Sequence, residues 1–86
     1  MAQYAVSFRR SAEKDLHRLD ATVQRRVMKA VDQLAGTPRP SGCKKLHGAD
    51  DTYRIRVGDY RIIYSVDDSI HIVAIERIRH RREVYR

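Results

Sequence analysis

The chain predicts an α+β domain of order β-α-α-β-β-β, in which a helical hairpin packs on one face of a mainly antiparallel, curved sheet. Three observations carry this expectation. The apolar period is two as far as Phe8, changes to three and four from Ser11, and gives way to β-rich runs after a loop. The apolar stripes of the two helical segments can share one sheet, because the segments are joined almost directly. Finally, 86 residues leave room for one core, so residues 1–86 form a single domain.

In "QYAVSF", Tyr4, Val6 and Phe8 fall on one side of an opening strand. Ala12, Leu16 and Leu19 then recur at helical spacing, with Arg10, Glu13, Lys14, Asp15 and Arg18 between them. Asp20 is placed to cap a second helix whose stripe is Val23, Val27, Ala30, Val31 and Leu34, and Gly36 and Pro38 end it. The stretch "GTPRPSGCKKLHGADD" reads as a loop, rich in Gly, Pro and Asp. Three strands follow, "TYRIRV", "DYRIIYSV" and "SIHIVAIERI", broken by Gly58-Asp59 and by Asp67-Asp68. A two-residue connection led by glycine suits a type II′ hairpin.

Eighteen Lys+Arg against eleven Asp+Glu leave +7, which calls for an anionic partner such as RNA, DNA, a lipid surface or an acidic protein. The N-terminus lacks the apolar stretch of a signal peptide and no apolar run is long enough to span a membrane, so a cytoplasmic protein is expected. The single cysteine, Cys43, excludes an internal disulfide and reads as a loop bystander. No Cys/His cluster has metal-ligand spacing, and neither a metal nor a cofactor is expected.

If Gly58-Asp59 is the turn, Val57 faces Tyr60, Arg56 faces Arg61, Ile55 faces Ile62 and Arg54 faces Ile63. Tyr53, Ile55, Val57, Tyr60, Ile62 and Tyr64 then share the face that meets the helices, and Arg54, Arg56 and Arg61 share the other. Like charges directly opposed across strands destabilise a sheet. The arrangement therefore points to an anion site, and guanidinium forks match phosphate.

From "YRIRVGDYRIIY" and "IRHRREVYR", with the Phe8–Leu16 run and the "KKLHG" turn from Lys44, the chain resembles the RelE branch of the RelE/ParE toxin superfamily. The resemblance covers nearly the whole chain and implies the fold argued above. It implies the toxin of a type II toxin–antitoxin system: a ribosome-dependent endoribonuclease that cuts mRNA in the A site, inhibits translation and is neutralised by a cognate, acidic antitoxin in a hetero-oligomer. Position by position it places the catalytic cluster on Arg54, Arg56, Arg61, Arg79 and Tyr85, with His80 a further candidate. Lys44, Lys45, Arg77, Arg81 and Arg82 are expected to grip RNA or the ribosome. Glu76 and Glu83 are expected to pair with arginines, and His17, His47 and His71 receive no catalytic role.

Metal-independent cleavage of this kind uses the ribose 2′-OH as nucleophile and leaves a 2′,3′-cyclic phosphate and a 5′-OH. Arg61 and Arg79 are assigned to transition-state charge, and Tyr85 to stacking on a base or orienting the phosphate. The best-known family pattern has lysines where this chain has Arg54 and Arg56. Arginine does not give up its proton, so proton transfer is assigned to His80 or Tyr85. Three other readings stay open: a ParE-like inhibitor of DNA gyrase that cuts nothing, a non-enzymatic RNA- or ribosome-binding module, for which +7 would suffice, and an enzyme that digests free RNA without a ribosome.

Overall fold

The structure, a computed structural model, describes residues 3–46, 48 and 51–84, the last two by their backbone alone. Its elements are β1 (Ala5–Phe8), α1 (Arg10–His17), α2 (Ala21–Leu34), β2 (Lys44–Lys45), β3 (Thr52–Val57), β4 (Tyr60–Asp67), β5 (Ile72–His80) and α3 (Arg81–Val84). They form a five-stranded sheet in the order β1-β5-β4-β3-β2. The expected α+β architecture is observed, with two additions that periodicity could not show. β2 is a two-residue strand inside the predicted loop, and α3 is a single turn after the last strand.

β1 runs parallel to β5, from Ala5↔Ile72 to Phe8↔Ile75, and the remaining pairs are antiparallel. The parallel pair follows from the helices. They return the chain across one face, so the last strand can insert between β1 and β4. The Asp20 carboxylate caps α2 by accepting from the Val23 N–H at 3.0 Å. Gln24 Nε2 donates to the Leu16 carbonyl at 2.8 Å, tying α2 back to α1. Ala12, Val27, Val31 and Leu34 from the helices meet Ile62, Tyr64, Val66, Val73, Ile75 and Ile78 from the sheet, and all are buried.

The β3–β4 hairpin has the register that the turn dictates, with Val57↔Tyr60 and Arg56↔Arg61. Gly58 sits at φ +58°, the left-handed region demanded of the first residue of a II′ turn. A Cβ built there would lie 3.3 Å from the Arg26 guanidinium of α2, which rests on the turn.

Between β4 and β5 the register slips, since Ile63 pairs with Arg77 while Tyr64 pairs with Ile75. Glu76 is the extra residue of a β-bulge, which lets both Ile75 and Ile78 point into the core. The bulge takes the Ile78 N–H out of the ladder, and Asp15 of α1 receives it at 2.9 Å. The same carboxylate accepts from Arg77 Nε at 2.9 Å and Nη2 at 3.3 Å. Burial works to raise the Asp15 pKa, but the Arg77 hydrogen bond, the Ile78 N–H and the charges of Arg77 and Arg79 outweigh it and hold the carboxyl below its ordinary value.

Candidate anion-binding active site

On the sheet face away from the helices, the registers build a row of three arginines. Arg56 of β3 pairs with Arg61 of β4, and Arg61 pairs in turn with Arg79 of β5. Directly opposed residues on neighbouring strands carry Cβ atoms only about 4.5–5.5 Å apart, so the three side chains leave the sheet side by side. Beside this row Lys44 of β2 pairs with Arg54, adding two cations to the same face. Arg61 is 3% exposed, so its side chain is packed on nearly every side. A guanidinium held this way loses few rotamers when it meets an anion, which is preorganisation in its plainest form.

Gly42, Lys44, Arg54, Ile55, Arg56 and Arg61 line an open cleft of about 220 Å³. That is below the roughly 300–1,000 Å³ of sites that enclose a small molecule.

The wall carrying Gly42 and Lys44 is fixed from behind. Arg39 forms a bidentate pair with Asp68, at 3.2 and 2.8 Å, and donates from Nε to the Tyr53 hydroxyl at 2.9 Å. The Tyr4 hydroxyl donates to Asp68 at 2.6 Å, and hydrogen bonds from Arg39 first and Tyr4 second hold the Asp68 carboxyl below its ordinary value. Beneath them the buried Tyr64 ring stacks on Tyr53 at 5.9 Å and donates its hydroxyl to the Pro38 carbonyl at 2.8 Å. Burial raises the Tyr64 phenol well above its ordinary pKa, and the half-buried Cys43 thiol beside it acts in the same direction.

The predicted site residues divide among several environments. Arg54, Arg56, Arg61, Arg79 and Lys44 come together, whereas Lys45, opposite Tyr53, alternates to the other face. Arg77, expected at the RNA-binding surface, instead embraces Asp15. His80 follows Ile78 by two residues and pairs with Tyr60, so it lies on the helix side of the sheet. Arg81 and Arg82 are exposed. Glu76 accepts from Ser65 Oγ at 3.1 Å and Arg9 Nε at 3.3 Å, as the expected arginine pairing requires. Tyr85 and His47 lie outside the described residues.

Sequence reasoning missed Asp15 and Arg39. Each acts across more than two dozen residues, and the only local signal was a carboxylate or guanidinium among other charges. Among the described residues no three His, Cys, Asp or Glu side chains gather in a way that could hold a metal ion. No helix of the described residues is long and apolar enough to cross a membrane.

Residues 6–85 match the family model of the ParE toxin of type II toxin–antitoxin systems, parDE. Toxin RelG of Mycobacterium tuberculosis is 33% identical over 84 residues, covering 96% of this chain and 97% of the relative. The mRNA interferase toxin RelE of Escherichia coli K12 is 31% identical over 86 residues, covering 95% and 90%. In the solved archaeal RelE–RelB complex from Pyrococcus horikoshii, a chain superposes with a TM-score of 0.82 at 34% identity, over 94% of this chain and 97% of that one. The fold, the full-length match and these relatives agree: the chain belongs to the RelE/ParE superfamily of type II toxin–antitoxin toxins, as a RelE-type member.

Proposed function

We propose that the protein is a ribosome-dependent endoribonuclease that cuts mRNA in the A site by metal-independent attack of the ribose 2′-OH, and so inhibits translation in the cytoplasm. The observation that carries this reading is the cross-strand row Arg56–Arg61–Arg79, flanked by Lys44 and Arg54. Guanidinium forks aligned across three neighbouring strands match the oxygens of a phosphodiester. The name of the E. coli relative as an mRNA interferase supports the same reading.

In the attack, the 2′ hydroxyl gives up its proton as its oxygen bonds to phosphorus, a dianionic transition state develops, and the P–O5′ bond breaks as the 5′ oxygen takes up a proton. Arg61 and Arg79 take the growing charge on the non-bridging oxygens, while Arg54, Arg56 and Lys44 hold the chain on either side. None of these arginines serves as a base, because their protons stay bound. With His80 on the helix side of the sheet, proton transfer falls to Tyr85 in this scheme. Solved complexes of relatives pair RelE with RelB. By extension, an acidic antitoxin is the cognate partner in a toxin–antitoxin hetero-oligomer.

The test is purified protein on a defined message, with and without programmed ribosomes. Cuts placed by codon position, seen only with ribosomes and ending in a 2′,3′-cyclic phosphate, are expected. Blocked DNA supercoiling without cuts would support the ParE-like reading instead, and cutting of free RNA would remove the ribosome from the scheme.

A further inference from the structure

His80 looks from the sequence like the one group near the arginines able to move a proton at neutral pH. Its surroundings give it other work. By strand alternation it shares a face with buried Ile78, and Arg79 occupies the arginine face between them. Its ring meets Tyr60 edge-on, 5.1 Å between centroids and 89° between planes, and Tyr60 packs against the core. Its Nδ1 accepts a hydrogen bond from the Arg82 N–H at 3.2 Å. One residue earlier, the Arg81 N–H donates to the Asp59 carbonyl of the β3–β4 turn at 2.8 Å.

His80 therefore stands at the N-cap position of α3, with Arg81 as the first helical residue and Arg82 as the second. A cap side chain ordinarily accepts from the second or third N–H. A four-residue helix has no stability of its own, so its direction is set by whatever holds its first turn. Two outside acceptors hold this one, the Asp59 carbonyl and the His80 imidazole. The segment they aim carries Glu83 and Val84 and then Tyr85 in the sequence.

We propose that His80 is a positioning residue: its imidazole Nδ1 caps α3, its ring is braced on Tyr60, and it sets the direction in which α3 leaves the sheet, without moving a proton itself. The role of the aimed segment rests on the endoribonuclease reading. The cap itself does not.

Three variants separate the roles. In His80→Asn the side-chain oxygen stands as many bonds from Cα as Nδ1 does, and asparagine is a good cap that transfers no proton. His80→Phe keeps the ring and loses the acceptor, and His80→Ala loses both. In the free protein, exchange of the Arg82 amide should be slowed to a similar degree in wild type and His80→Asn, and about fivefold faster in His80→Phe and His80→Ala. Equal exchange in all four overturns the cap.

In single-turnover cleavage on programmed ribosomes, His80→Asn should stay within about threefold of wild type. His80→Ala and His80→Phe should lose about tenfold or more, as expected when a group that must be aimed is misplaced. Asn and Ala equally slow would mean that His80 acts as acid or base, and all three at the wild-type rate would mean that it positions nothing. Either result overturns the proposal. A wild-type protein that cuts nothing refutes the endoribonuclease reading and leaves the exchange measurement to decide the cap.

Discussion

Replacing Arg56 by glutamine should stabilise this protein while disabling it. Arg56 is exposed and directly opposes Arg61, which is 3% exposed. With opposed Cβ atoms about 5 Å apart, the two charges lie on the order of 6 Å from one another. At that distance they repel by about 0.7 kcal/mol in a water-like dielectric, and by more where Arg61 is desolvated. Glutamine keeps a similar length and removes the charge. A gain of about 0.5–1 kcal/mol follows at low salt, which raises the melting temperature of a domain this size by about 2–8 °C.

The gain should respond to salt. At 0.01 M the screening length is about 30 Å and the repulsion is nearly whole, whereas at 1 M it is about 3 Å and little remains. Urea denaturation of both proteins in sodium chloride at these two concentrations measures the difference. Cleavage on programmed ribosomes should fall by about 10- to 100-fold, the cost of losing one charge-assisted contact of about 1.5–3 kcal/mol from a group that holds the RNA chain. A variant less stable than wild type by more than about 0.5 kcal/mol, or a gain unchanged by salt, would refute the claim that the row is held against its own repulsion.

Three further outcomes are expected. Asp15→Ala should cost about 2–4 kcal/mol in denaturant unfolding: it orphans the buried Ile78 N–H, while Arg77, with 41% of its side chain exposed, partly rehydrates. The Asp15 pKa is lowered on folding, so its contribution is complete above the unfolded carboxylate value near 3.9 and is lost as pH falls through the lower folded value. An acid titration of Asp15→Asn followed by circular dichroism should therefore show a shallower acid limb than wild type. Gly58→Ala should lose about 1–2 kcal/mol, chiefly from forcing an L residue to φ +58°, because the nearby Arg26 guanidinium can swing aside.

What could be read in the chain followed the range of the forces involved. The helical stripes, the Asp20 cap and the β3–β4 register depend on neighbours a few residues apart, so spacing and one Gly-Asp turn were enough to place Arg54, Arg56 and Arg61 on one face. The family resemblance supplied Arg79 as a candidate, but its seat beside Arg61 depends on the β4–β5 register. That register contains a bulge, and a slip of one residue exchanges the faces of every side chain beyond it.

The same bulge decides that His80 turns toward Tyr60 and away from the arginines, and that Asp15 finds an orphan N–H sixty-three residues ahead of it in the chain. No local pattern encodes such a pairing, since it exists only once α1 lies on β5. The sequence by itself thus determined the fold class, the cationic face and the chemistry that face invites. Tertiary structure decided which of the basic residues stand in the row, because strand register is settled by packing across the whole sheet.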